Sequence, residues 1–279
     1  MKLYVFFFKV KKRLKMILSP LLEMRKKKFL ADRKCESPVI VLGNQKTGST
    51  AIAALLSQAS GKSVTLDVVR SIPDVTWQLG IKYDVQYFRD YAWKYRQDFY
   101  SEIIKEPSFT FFYAELSEIF PNAKFVFIQR NPFQNIRSIL DRLKIPGNLD
   151  SINFDEHEEL NKGPIWRLVL DSHWLGFECN NYIEGLAYRW NLAAQIYLDN
   201  ADKFNLVRYE DFLVDKKGTV DELCKSFGLP VVENVGNSVD KQHQSKGQSN
   251  VDLKAFFGER NYSIIESICY KNGKRLGYF

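Results

Sequence analysis

The segment Gly43-Asn44-Gln45-Lys46-Thr47-Gly48-Ser49-Thr50 sets two glycines beside a lysine and three hydroxyl side chains. Such a set binds anions, because the N–H groups of a glycine turn converge on phosphate-like oxygens while the lysine adds charge and the hydroxyls add hydrogen bonds. The glycine spacing, G-x-x-x-x-G, is that of a nucleotide-triphosphate P-loop, but Ser49 stands where its lysine would be and the lysine sits at position 46. A second cation, Arg130, ends the run Phe125-Val126-Phe127-Ile128-Gln129, and Ser138 follows eight residues later. An arginine can hold an anion through charge-assisted hydrogen bonds from its guanidinium. Asp67, and Glu106 next to Lys105, each follow a short apolar run, and a carboxylate held at a strand end can accept a proton from a reacting hydroxyl.

The surrounding pattern supplies elements to hold these groups. Val39-Ile40-Val41-Leu42 reads as a buried strand before the glycine loop, and Thr50 onward reads as a helix that stops at Gly61. Val64 to Asp67 and a short run at Ile103 read as further strands, with aromatic helices between them over 77–100. A helix near Thr110 to Phe120, a strand Lys124 to Gln129, and a helix from Pro132, a residue suited to a first turn, come next. After the irregular, acidic stretch 144–180 come a helix near Ile183 to Asp199, a strand Asn205 to Arg208 and a helix Thr219 to Phe227. This alternation predicts an α/β fold, a three-layer P-loop-like arrangement with a central parallel sheet between helices.

Composition narrows the setting. A chain of 279 residues, 45% hydrophobic, buries one sizeable core, so a main domain over 35–279 is expected, with 144–180 as an insertion covering an acceptor site. The formal charge of +7 is concentrated in residues 1–34, which hold a net +10 and leave the rest slightly acidic. That arm places Phe6-Phe7-Phe8 beside basic runs, and none of its apolar stretches reaches the ~18 residues of a membrane span. It reads as an arm for an anionic membrane surface or as a basic helix packed on its own domain, and the body carries no matching basic signal for nucleic acid. Cys35, Cys179, Cys224 and Cys269 form no C-x-x-C pair and no metal-ligand spacing with histidine, which points to a reducing, cytoplasmic compartment, peripheral on the inner membrane face if the arm binds there.

Taken together, Gln45-Lys46-Thr47-Gly48-Ser49-Thr50 and the Phe125 to Ser138 stretch resemble the sulfotransferases that use 3′-phosphoadenosine 5′-phosphosulfate (PAPS), whose loop typically reads P-[KR]-[ST]-G-T-T/S. The resemblance implies that Lys46 contacts the bridging oxygen of the donor and that Thr47, Gly48, Ser49 and Thr50 bind its 5′-phosphate. It implies that Arg130 and Ser138 grip the 3′-phosphate. Gln45 replaces a frequent proline. Val207-Arg208-Tyr209-Glu210-Asp211-Phe212 is similar to the family's Y-E-D segment, with Tyr209 implied at the adenine, and His243 to Gly247 resembles a late segment in which Lys246 or Gly247 closes over the 3′-phosphate.

The implied reaction is metal-free transfer of a sulfuryl group to a hydroxyl, releasing adenosine 3′,5′-bisphosphate (PAP). Asp67 is the first candidate base and Glu106 the second, with Lys105 near the sulfuryl group. His157, His173 and His243 do not match the histidine base of the cytosolic small-molecule enzymes, which favours a carbohydrate or glycolipid acceptor. Trp166 and Trp174 read as packing residues, although an exposed indole would suit a sugar face. The rival readings are a P-loop kinase or NTPase, which requires lysine rather than serine at position 49, and a nucleotide-binding adaptor without an acceptor base.

Overall fold

The computed structural model describes residues 35–74, 76–237 and 251–279, with Pro20 and Met24; the basic arm and the segment containing His243, Lys246 and Gly247 lie outside the described residues. Five strands, β1 (Val39–Gly43), β2 (Val64–Leu66), β3 (Ile103–Lys105), β4 (Lys124–Gln129) and β5 (Phe204–Arg208), form one parallel sheet in the order β2-β3-β1-β4-β5. Every residue of β1 is buried, which explains why it reads as an unbroken apolar run instead of an alternation.

Side-chain alternation divides the strands between two cores. Ile40, Leu42, Ile104, Phe125 and Phe127 face a layer rich in aromatic rings, including Trp77, Phe88, Tyr91, Phe99, Phe109 and Phe112. Val39, Val41, Ile103, Val126 and Ile128 face the opposite layer, built from α1 (Ser49–Ser60) and a later helix carrying Val220, Leu223 and Phe227. The helices between these are α2 (Thr76–Lys82), α3 (Phe88–Lys94), α4 (Tyr113–Ile119), α5 (Pro132–Leu143), α6 (Glu158–Lys162), α7 (Ile165–Leu170), α8 (Tyr182–Asp199) and α9 (Tyr209–Val214); α10 (Lys216–Phe227) and α11 (Leu253–Arg275) complete the order. The region expected as one helix over 110–120 divides into a 3-10 stretch, Pro107–Phe112, and α4. Pro107 at its start and the Glu106 side chain accepting from Ser108 N make that tighter turn.

A third core joins α5, α8 and α11, and the stretch 144–180 is part of it. Leu160, Val169 and Leu170 are buried there, while Trp174 and Leu175 enter the aromatic layer. The Trp174 indole donates to Leu168 O at 2.8 Å, so its polar edge is satisfied inside the fold. The approach of this stretch to α8 is close: Ser172 Oγ donates to Gly185 O at 2.7 Å, and a Cβ on Gly185 would stand 2.4 Å from Leu170 O. Gly185→Ala is therefore expected to lower the unfolding free energy by about 1–3 kcal/mol, because a backbone carbonyl has to yield. A urea midpoint unchanged from wild type would show instead that α7 and α8 separate freely.

Candidate active site

The sheet order dictates where a ligand belongs. The chain leaves β1 toward β2 on one side, while β4 pairs with β1 on the other, so the switch point of the parallel sheet lies outside the carboxyl ends of β1 and β4. Gly43 stands opposite Ile128, so the glycine loop and Arg130 leave the sheet side by side. Leu66 stands opposite Lys105, which brings Asp67 to the same edge.

The loop is held open by buried polar groups. Thr110 Oγ1 accepts from Gly43 N at 2.9 Å and donates to Gly43 O at 3.0 Å, closing the end of β1. Asn44 Oδ1 accepts from Gln45 N at 2.9 Å, Thr47 Oγ1 donates to Asn44 O at 2.8 Å, and Asn135 Nδ2 donates to Gln45 O at 2.7 Å. Lys46 takes a left-handed backbone (φ 65°), and Gly48 another (φ 91°) before α1 begins. Left-handed turns ahead of a helix gather N–H groups into an anion nest, and a non-glycine residue adopts one only where its neighbours hold it, at a cost of about 1–2 kcal/mol. Lys46 is held by Arg130, whose Nη1 donates to Lys46 O at 2.8 Å.

Arg130 and Tyr209 join the two anion motifs. The guanidinium lies 4.5 Å from the centre of the Tyr209 ring, and a Cβ on Gly48 would stand 2.4 Å from that ring, so Tyr209 lies against the loop itself. The carbonyl of Arg130 accepts from Trp190 Nε1 at 2.8 Å, and the next residue, Asn131, donates its N–H to Glu210 Oε1 at 2.8 Å. Ser138 is half-buried in α5, while Thr47 and Ser49 are buried and Thr50 half-buried at the start of α1.

Electrostatically the edge favours an anion. Burial, then repulsion by Arg130, holds the Lys46 ammonium below the ordinary lysine value, with further repulsion from Arg142 and Lys105 outlasting the opposing pull of Asp141. Burial likewise lowers Arg130. Cations kept charged against burial gain most from a phosphate-type partner.

The two carboxylates differ. Asp67 follows β2 with φ 69°, its side chain 36% exposed and its Oδ1 accepting from Lys105 Nζ at 2.5 Å; the Lys105 side chain is only 4% exposed. Glu106 is buried, with Oε1 accepting from Ser108 N at 3.0 Å and Oε2 from Val68 N at 3.3 Å. Burial and then the charge of Asp67 raise its carboxyl above the ordinary value. Asp67 is thus open to a reactant, and Glu106 braces the backbone at Val68, directly after Asp67, and at Ser108.

Sequence reading passed over Thr110, Asn135, Arg189 and Trp190 as parts of this site, whereas Glu210 lies in the Y-E-D segment it marked. Their partners lie tens of residues away, and the one local signal was an arginine in the apolar helical run Leu186-Ala187-Tyr188-Arg189-Trp190. The histidines His157 and His173 lie in the stretch 144–180, and His173 Nδ1 pairs with the neighbouring Asp171 at 2.6 Å.

Comparison with known proteins agrees with this geometry. A family profile described as "Sulfotransferase domain" matches residues 38–163, which span the glycine loop, Asp67, Lys105, Arg130 and Ser138. Sulfotransferase STF1 from Mycobacterium tuberculosis is 14% identical, with 96% of this chain and 86% of that one covered and a TM-score of 0.53. Sulfotransferase STF9 from Mycobacterium avium is 13% identical over 88% of this chain and 78% of that one, with a TM-score of 0.52. A sulfotransferase from Alicyclobacillus acidocaldarius is 17% identical over 84% and 96%, with a TM-score of 0.46. At these identities the Mycobacterium structures establish a shared fold. No curated protein matches the chain by sequence.

The lowered pKa of Lys46 has a measurable consequence. A bound anion favours the charged lysine, so binding is strongest below the free-state pKa and weakens as pH rises through it, a window below the ordinary lysine value. Calorimetry with pyrophosphate is expected to show affinity falling in that window, with the step absent in Lys46→Met. A wild-type profile that stays flat until ordinary lysine titration would remove Lys46 from the anion site.

Proposed function

From the match of residues 38–163 to a sulfotransferase-domain profile, we propose that the chain is a sulfotransferase that transfers the sulfuryl group of PAPS to a hydroxyl of a carbohydrate or glycolipid acceptor. The observation that carries this reading is the bond between Arg130 Nη1 and Lys46 O, which ties the end of β4 to the glycine loop and sets two cationic grips side by side. A nucleotide bearing phosphate groups at both 3′ and 5′ positions fits such a pair. The glycine loop, whose close approaches leave Gly43 and Gly48 no room for side chains, fits the 5′ end, while Arg130 and Ser138 suit the 3′-phosphate.

The bound donor supplies a sulfur centre with a good leaving group. Lys46 and the N–H groups at the start of α1 stabilise the negative charge that grows on the departing phosphate oxygen. Asp67 accepts the proton of the attacking hydroxyl as the new O–S bond forms and the bond to the bridging oxygen breaks. Lys105, buried against Asp67 Oδ1, keeps that carboxylate aimed at the sheet edge, leaving its exposed side for the acceptor. Glu106 is the weaker choice of base, since both of its oxygens already accept backbone N–H groups. A carboxylate base in place of histidine supports the carbohydrate or glycolipid class.

Two measurements test the reading. PAP is expected to bind at least about tenfold more tightly than ADP, because only PAP engages Arg130 through a 3′-phosphate; equal affinities in calorimetry would remove the second grip. Asp67→Asn is expected to reduce sulfuryl transfer by about 100-fold or more, the scale of general-base catalysis, while PAP affinity stays close to wild type. Undiminished turnover in that variant would assign the proton to another group.

A further inference from the structure

Beneath the loop lies a cation that the transfer reaction does not use. Arg189, on α8, has no exposed surface. Its partners are neutral amides: Nε donates to Asn44 Oδ1 at 3.1 Å and to Gln45 Oε1 at 3.2 Å, and Nη2 donates to Gln45 Oε1 at 2.9 Å. Nη1 has no hydrogen-bond partner. The guanidinium faces the Phe111 ring at 4.2 Å and the Trp174 ring at 5.9 Å.

A buried guanidinium ordinarily sits against a carboxylate or phosphate, because charge taken out of water is costly without an opposite charge. Among the described residues no carboxylate forms an ion pair with Arg189. Glu106 acts on it only through space, with both oxygens occupied by backbone N–H groups. Burial lowers Arg189 to about 9, which leaves it charged at neutral pH. The two residues that take its hydrogen bonds, Asn44 and Gln45, are the ones immediately before Lys46, and a charge in a low-dielectric interior acts beyond its contacts.

We propose that Arg189 is a positioning residue that strengthens anion binding by the Gly43–Thr50 loop through a charge left unneutralised, and that a neutral amide at position 45 preserves that charge. Gln45 offers its carbonyl oxygen to the guanidinium and its Nε2 to Ser108 Oγ at 3.4 Å, so the loop is braced without a counter-ion. The proposal rests on the loop binding the 5′ end of PAP. Wild-type failure to bind PAP would overturn that functional reading, whereas the variants below test Arg189 once PAP binding is established.

Arg189→Lys, which keeps the charge and loses the fork, is expected to bind PAP within about threefold of wild type in calorimetry, whereas Arg189→Gln and Arg189→Met lose about tenfold or more. Gln45→Glu gives Arg189 a carboxylate partner, so its Tm is expected to match or exceed wild type while PAP affinity falls about tenfold. This second variant separates charge from folding, because a purely structural role would leave a stable protein binding PAP normally. PAP affinity in Arg189→Lys as low as in Arg189→Met, or wild-type affinity in a stable Gln45→Glu, would overturn the proposal.

Discussion

The turn out of β1 governs the rest of the structure. A strand buried along its whole length has to end in a loop whose N–H groups point away from the core, and every backbone group left behind needs a partner. Thr110 satisfies both polar groups of Gly43, while Asn135 and Asn44 satisfy those of Gln45. An unpaired buried donor or acceptor costs about 1–3 kcal/mol, so each of these side chains is a condition for the loop's shape. The 3-10 stretch before α4 follows from the same need, because it brings Thr110 beneath β1 and lets Glu106 brace Ser108 and Val68.

The same edge gathers charge of one sign. Lys46, Lys105 and Arg130 come from the ends of three strands, and Arg189 reaches the loop from α8 below. Lys105 has a close carboxylate partner, Asp67. The mutual repulsion and burial that lower Lys46 and Arg130 represent stability given up in the free protein and regained when an anion arrives. Tyr209 keeps the arrangement compact, with its ring against Gly48 and the Arg130 guanidinium over it.

Much of this was legible along the chain because its signals are local. The buried strands read as apolar runs, and the expected strand Lys124 to Gln129 coincides with β4, as Pro132 coincides with the first residue of α5. The glycine loop was recognisable because its chemistry occupies eight consecutive residues. The supports of that loop were illegible for the opposite reason: Thr110 lies 67 residues from Gly43, and Arg189 lies 144 from Gln45, separations at which neither periodicity nor spacing speaks. The stretch 144–180 read as an insertion because prolines, glycines and acids interrupt its pattern. Its apolar residues are nevertheless divided between the core of α5, α8 and α11 and the aromatic layer.

Two adjacent carboxylates show how little residue type alone decides. Asp67 and Glu106 both follow parallel strands, and both stand beside Lys105, yet the backbone separates their chemistry. The left-handed turn at Asp67 lifts its side chain to the sheet edge, where it keeps an exposed face and a lysine partner. The extended backbone at Glu106 turns its carboxylate inward, where two N–H groups occupy it and burial raises its proton affinity. The inner carboxylate fixes Val68 directly after Asp67, so the rigidity of one acid sets the aim of the other. A base at the sheet edge is useful only if its position relative to the loop is fixed, and the backbone bonds that Glu106 accepts from Val68 and Ser108 fix it from within.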